Sequence, residues 1–260
     1  DQINHLIRGP YGTKVAISWT HDGHTQKSLL HRGESPVINV KTDDQIMDNV
    51  AYIRLIDLMT GQAARQMKQA VQDCKSRGGL ILDLRDNHGG SLAYVIEVAN
   101  YFLKPGLPVV TTVDSESYKQ TEYSKSSADS GIIVDAPMVV LINRETASGA
   151  EMLASALKDN HRATIIGERS AGATAVKSID RLEDGSGMNV TIARWLTSSG
   201  KDLSDKGLNP DLNIRLNKSE LAAGEGPWWR QEGVLLPNTK QLKDAQLLKA
   251  MEEIKKKMVK

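Results

Sequence analysis

The strongest constraint on this chain is a repeated pattern of short apolar runs that end in polar turns and lead into helical spacing. Leu80-Ile81-Leu82-Asp83-Leu84 is one such run, and residues 138–142 are another. Both have a strand's length, and neither shows the apolar–polar alternation of a half-exposed strand, so both read as buried strands. Residues 50–56, 109–113 and 163–166 read as further strands. Behind Thr60, the positions Ala63, Met67, Ala70 and Cys74 recur at helical spacing until Gly78 closes the segment. Leu92, Val95, Ala99 and Phe102 form a second stripe over 91–102, and a third helix is predicted over about 148–160. Strands alternating with helices predict an α/β core with largely parallel pairing.

The pattern changes at both ends. In residues 1–38, Val15, Ile17 and Trp19 alternate with Lys14, Ala16 and Ser18. His21-Asp22-Gly23 then turns the chain into a polar return through Ser28-Leu29-Leu30. So few apolar positions cannot bury a core alone. This stretch is expected to be the closing part of a larger, mostly β domain, with Glu34-Ser35-Pro36 as linker. The α/β core then spans 39–236, and 237–260 forms a C-terminal helix capped by Asn238 or Thr239 and carrying Leu242, Leu248, Met251 and Ile254. Within the core, 175–196 predict a hairpin turning at 183–187. Residues 114–136 are polar and are expected to be mobile or to form a partner surface. Trp228-Trp229 reads equally as an anchor for a domain or subunit contact and as a buried aromatic pair.

Composition removes several function classes. The 33 Lys and Arg against 32 Asp and Glu leave a net charge of +1, with no strong field for nucleic acid or an anionic membrane. One Phe and 4% aromatics leave little for base stacking. The single cysteine, Cys74, cannot form an internal disulfide, and no metal-ligand spacing, P-loop or dinucleotide motif occurs, so neither metal nor cofactor is expected. His5, His21, His24, His31 and His161 read as surface or loop residues. No apolar run approaches the 18 residues of a membrane span. The first residues read as mid-domain sequence, so any export signal is expected to lie outside this chain.

Two turns can carry chemistry. In Asp83-Leu84-Arg85-Asp86-Asn87-His88-Gly89-Gly90, paired glycines let the backbone bend tightly and present N–H groups to an anion or an oxyanion. The same residues also suit a plain strand-to-helix turn. In Asn143-Arg144-Glu145-Thr146-Ala147-Ser148-Gly149-Ala150-Glu151, Ser148 sits among small neighbours between strand and helix, where a nucleophile would have an exposed hydroxyl and a helix N-terminus beside it. It equally suits an N-cap, with Glu151 completing a capping box.

Taken together, and at this separation, the two turns resemble the signatures of the carboxyl-terminal processing proteases, a serine–lysine peptidase family. Residues 79–90 are similar to one family signature. Thr146 to Glu151, Ala156-Leu157-Lys158-Asp159 and Gly167-Glu168 are similar to its nucleophile block. Leu6-Ile7-Arg8-Gly9-Pro10-Tyr11-Gly12-Thr13 resembles the closing strands of the family's PDZ domain. Trp195-x-Thr197-x-x-Gly200, Gly207-Leu208-x-Pro210-Asp211 and Asp244-x-Gln246-Leu247-x-x-Ala250 resemble its C-terminal features. The resemblance implies a crotonase-like α/β peptidase core with a partial PDZ remnant at the N-terminus. It implies Ser148 as nucleophile, Gly149 with Gly89 or Gly90 as oxyanion donors, and Glu151 and Asp159 as supporting acids. It further implies C-terminal tails of protein substrates as partners, a periplasmic or similar exported location, and room for a homo-oligomer or a regulatory partner protein.

One position departs from the family. Its general base is a lysine 25 residues after the serine, and here that position is Ala173. A serine hydroxyl needs a base to take its proton, and alanine has none to offer. The chain is therefore expected to keep a peptide site and lose most turnover, as an inactivating lysine-to-alanine replacement or as a natural pseudoprotease that grips tails without cutting. Lys177, four residues on, lies about 13 Å away along an extended strand, which is too far to substitute directly. It reads as a supporting or solvent-facing residue. His88, inside the glycine turn, is the other candidate stand-in. A thioester-polarising enzyme on the same scaffold would use Gly89 and Gly149 differently, but the Ser148 block argues against it.

Overall fold

The computed structural model describes residues 6–21, 23–33, 37–125, 134–223, 226–227 and 243–259. It divides into two units, Asp1–Val37 and Ile38–Lys260. In the first, β1 (Lys14–His21) and β2 (His24–His31) form an antiparallel hairpin with Lys14 opposite His31. Arg32 fastens the loop before it, donating to the carbonyls of Leu6, Ile7 and Lys14 and to Thr13 Oγ1 at 2.8–3.1 Å.

The second unit is built on a six-stranded sheet in the order β12-β9-β8-β5-β4-β3. Its members are β3 (Val40–Met47), β4 (Val50–Leu55), β5 (Gly79–Asp83), β8 (Met138–Ile142), β9 (Thr164–Gly167) and β12 (Leu212–Asn213). Pairing is parallel throughout except at the β3 edge. Three helices, α1 (Gly61–Cys74), α2 (Leu92–Ala99) and α3 (Gly149–Asp159), contribute to one buried cluster with Ile53, Leu80, Leu82 and Val140. The opposite faces of the same strands, Tyr52, Ile81, Val139 and Ile166, pack with Leu247, Ala250 and Ile254 of α5 (Ala245–Met258). Successive strand residues point to opposite faces, so both faces need apolar side chains, and this is why these strands read as unbroken apolar runs. A short helix, α4 (Lys218–Ala222), follows the sheet. A second, antiparallel sheet has the order β10-β11-β6-β7, from β6 (Pro108–Asp114), β7 (Lys119–Tyr123), β10 (Ala175–Arg181) and β11 (Gly187–Thr197).

The structure departs from the sequence reading at several elements. Part of 114–136 is ordered as strand β7, whose polar residues escaped notice because it is a sheet edge without an apolar face. Strand β3 was hidden because its apolar positions are few and irregularly spaced: Lys41, Thr42 and Asp44 face solvent, Asp43 and Ile46 are buried, and the register shifts between Asp43 and Met47. The second helix ends at Ala99 rather than at 102, because the Tyr101 and Phe102 amides turn back three residues to Val98 and Ala99. Phe102 is nevertheless buried in the main core. The C-terminal helix is capped by Asp244, which accepts from Leu247 N. The linker 34–36, the pair Trp228-Trp229, the caps Asn238 and Thr239, and the 236/237 boundary lie outside the described residues. Among those described, no helix is long and apolar enough to cross a membrane, and no cluster of metal-binding side chains occurs.

Candidate active site

Three adjacent parallel strands end at one edge of the large sheet. β5 runs out into the Gly89-Gly90 turn, β8 into the Ser148 turn and β9 into the loop 168–174 that carries Ala173. Parallel pairing puts all three carboxyl ends side by side, the usual place for a site in such a sheet. Hydrogen bonds then lock the turns together. Thr146 Oγ1 donates to Leu84 O (2.9 Å), Ala147 N to Asn87 O (3.0 Å) and Ala171 N to Thr146 O (3.0 Å). Asn143 and Asp86 exchange two more, Asp86 N to Asn143 Oδ1 and Asn143 Nδ2 to Asp86 Oδ1.

Ser148 is half-buried, with φ 51° and ψ −120°. An ordinary N-cap has extended backbone, whereas this conformation is one that residues with a Cβ rarely adopt and that functional sites tend to hold under constraint. The constraint comes largely from Glu151, which is fully buried. Its Oε2 accepts from the backbone N–H of Ser148 (2.9 Å) and of Ala173 (2.8 Å), so both amides touch one oxygen. Its Oε1 accepts from Gly172 N and from the Ser170 hydroxyl. One carboxylate therefore ties the Ser148 turn to the loop holding position 173.

The glycine turn packs directly on this serine. A Cβ added at Gly89 would lie 2.4 Å from Gly149 N and 3.0 Å from Ser148 Cβ, and one added at Gly149 would lie 3.0 Å from Gly90 N. The two glycines thus permit a backbone approach that no side chain would allow. The Gly89 N–H is already used, donating to Asn87 Oδ1 at 2.8 Å. The N–H groups of Gly90 and Gly149 make no hydrogen bond to a described residue. Gly89→Ala should cost about 2 kcal/mol or more, from strain at φ 89° and from overlap with Gly149 N. Gly106→Ala, at φ 85° with open space around it, should cost about 1–2 kcal/mol from strain alone. Thermal melts of the two variants read the difference.

The other singled-out residues divide. Ala173 is exposed on the loop that Glu151 ties to the Ser148 turn, its carbonyl accepting from Trp195 Nε1 at 3.0 Å while Thr174 O accepts from Trp195 N. Lys177 is exposed on β10, four residues further on, and His88 is exposed in the glycine turn. Asp159 is at the opposite end of α3 from Ser148. There Asp159 Oδ2 accepts from Ser199 N (3.0 Å) and Ser198 Oγ (3.2 Å), which fastens the turn after β11. Burial alone would raise its carboxyl pKa, but the hydrogen bonds from Ser199, Thr197 and Ser198 outweigh it and hold the pKa below the ordinary carboxylate value. A lowered folded pKa contributes stability above the usual carboxylate range that is lost as pH falls through the folded value. Asp159→Asn should accordingly flatten the acid side of a stability-versus-pH curve, with little effect at pH 7 on the geometry around Ser148.

Sequence reasoning passed over Asn87 and Ser170, and it gave Trp195 only as part of a C-terminal motif, with no role in the site. Asn87 is buried and holds the turn from both ends of its amide, Oδ1 on Gly89 N and Nδ2 on Leu55 O (2.9 Å). An asparagine two residues before a glycine is a recognisable signal for a side chain that bonds its own turn. Ser170 and Trp195 act through partners distant in sequence, Glu151 and Ala173, and no local signal marks those contacts.

A family model described as "Peptidase family S41" matches residues 49–214, which include both turns and position 173. The chain belongs to peptidase family S41. Among S41 relatives it is 35% identical over 218 residues to the carboxyl-terminal-processing protease of Synechocystis, covering 81% of this chain and 50% of that protein. It is 32% identical over 221 residues to the chloroplastic carboxyl-terminal-processing peptidase 1 of Arabidopsis thaliana, covering 81% and 44%. The solved structure of a photosystem II D1 C-terminal processing protease superposes with a TM-score of 0.59 at 29% identity, covering 79% of this chain and 56% of that one. The chain thus spans about half the length of these S41 relatives.

Proposed function

We propose that this chain is the catalytic portion of a serine endopeptidase that cleaves protein substrates near their C-termini, in a form inactivated at position 173. Ser148 is the nucleophile, the amides of Gly90 and Gly149 receive the oxyanion, and 173 is the position of the missing lysine base. In the complete dyad, a neutral lysine takes the Ser148 proton as Oγ attacks the peptide carbonyl. The amine of the leaving fragment then departs with a proton, and water releases the acyl-enzyme. The methyl of Ala173 takes no proton, so this form keeps the peptide site and loses turnover. On this reading the core is of the crotonase-like kind, the hairpin unit is the end of a PDZ domain, and the whole protein is exported, as in a periplasm.

The observation that carries the reading is the Glu151 carboxylate, which holds the Ser148 and Ala173 amides on a single oxygen while Ser148 keeps a backbone unlike a simple cap. S41 membership supports the reaction class, and the relatives' names support the choice of substrate end. The test compares Ala173→Lys with the double variant Ala173→Lys, Ser148→Ala on an unstructured protein substrate. Cleavage by the first and none by the second is expected. A folded Ala173→Lys protein that binds tails and never cuts them would favour an adaptor instead.

A further inference from the structure

The loop that carries position 173 has a second surface. Its residues Ser170 and Ala171 floor a cleft of about 550 Å³ whose walls include Arg144, Arg169, Arg215 and Glu168. Three guanidiniums face one carboxylate there, in a chain whose net charge is only +1. Glu168 neutralises part of this charge, since its Oε1 lies 3.1 Å from Arg144 Nη2 and 4.0 Å from Arg215 Nε. The side chains of Arg144 and Arg215 are more than half exposed, and Arg169 has no ion-pair partner among the described residues. A concave surface with this excess of planar guanidinium forks suits a carboxylate, which Arg binds in bidentate fashion.

The cleft is coupled to the nucleophile turn. Arg144 precedes Ser148 by four residues, at most about 14 Å of chain. The floor is bonded to the same turn, through Ala171 N to Thr146 O and through the Ser170 hydroxyl to Glu151. An extended peptide advances about 3.3 Å per residue. A carboxylate two to four residues from the reacting carbonyl therefore falls within reach of the cleft.

We propose that this cleft is a carboxylate subsite, which selects peptide substrates bearing an acidic group two to four residues from the scissile bond. The proposal rests on the peptidase reading of Ser148. The acidic group is either an Asp or Glu side chain or the terminal α-carboxylate of the tail, and the two sources are separable by experiment.

The probe is a rhodamine-labelled ten-residue peptide made in four forms, with Glu or Gln near the tail and with a free or an amidated C-terminus. Fluorescence anisotropy with the chain as it exists should show binding weakened about tenfold when the recognised carboxylate is removed, as for loss of a charge-assisted hydrogen bond. The preference should shrink between low and high salt. A Glu-to-Gln effect identifies the side chain, an amidation effect the terminus, and either supports the proposal. Arg144→Gln and Arg215→Gln should erase the preference and Arg144→Lys should keep part of it, while Arg65→Gln on α1 should change nothing. Equal binding of all four peptides, binding of none, or a preference indifferent to the cleft arginines overturns the subsite. Cleavage of a neutral substrate by Ala173→Lys would show the peptidase reading surviving that failure. A carboxylate preference without any cleavage would show the reverse.

Discussion

Placing lysine at position 173 should raise the rate of cleavage of an unstructured protein by roughly a thousandfold or more, the order of magnitude by which losing a catalytic base slows such enzymes. The Ser148 and Ala173 amides already share Glu151 Oε2, and Trp195 holds the 173–174 backbone through both its indole and its amide, so the added side chain starts from a fixed backbone. Only the neutral amine accepts a proton, so activity should climb with pH towards the pKa of the new lysine and fall below it. Ser148→Ala should abolish the restored activity and should change little in the Ala173 background, because residues that act as a unit are not additive. Initial rates across pH for the four proteins measure this. A well-folded Ala173→Lys protein without activity at any pH would remove Ser148 from the nucleophile role.

Arg85→Ala should destabilise the chain by about 3–5 kcal/mol, the cost of leaving buried charges without their partner. Arg85 is fully buried, with Nη2 2.6 Å from Asp83 Oδ2 and 2.8 Å from Asp244 Oδ2, and with Nη1 donating to Asp244 Oδ1 and Gln246 Oε1. The Tyr52 hydroxyl donates to Asp83 Oδ2 at 2.7 Å. Asp244 also caps α5, so the cluster fastens that helix to the end of β5, next to the glycine turn. Truncating the arginine removes the cation between two buried carboxylates and leaves them only hydrogen bonds such as those from Tyr52 Oη and Leu247 N. The melting temperature should fall by roughly 10 °C, at about 2–4 °C per kcal/mol for a domain of this size. The acid limb carries the same sign. Burial would push the Asp83 carboxyl up, yet the Arg85 guanidinium and the Arg85 and Tyr52 hydrogen bonds hold it below the ordinary value. That contribution is present above the usual carboxylate range and is lost as pH falls through the lowered pKa. A melt unchanged by Arg85→Ala would show that water or another group replaces it.

The turn that bears Ser148 was legible because its chemistry is local. A serine among small residues, between an apolar run and a helical stripe, suits either a nucleophile or an N-cap, and the paired glycines at 89 and 90 suit either a close backbone approach or a plain turn, so the sequence marked the two turns and left their roles open. The resemblance of these motifs to those of the carboxyl-terminal processing proteases pointed to position 173. The supporting half of the site was not legible. Asn87 taking the Gly89 amide, Ser170 reaching Glu151 and Trp195 closing on Ala173 join residues across turns or across tens of residues. The edge strands β3 and β7 were missed because solvent on their exposed sides erases the pattern that marks a buried strand.

By itself the sequence determined the alternation of strands and helices, the two chemically equipped turns and the absence of a titratable group at 173. These depend on side-chain spacing and covalent identity, which are properties of the chain in any conformation. The tertiary structure alone decided that β5, β8 and β9 lie side by side. That arrangement brings Gly89, Ser148 and Ala173 to one edge, commits the Gly89 amide to Asn87, and makes Glu151 the common acceptor beneath two loops. The physical reason is that parallel pairing and buried hydrogen bonds are contacts between segments far apart in sequence. Their partners are selected by packing the whole core, and no local pattern encodes them.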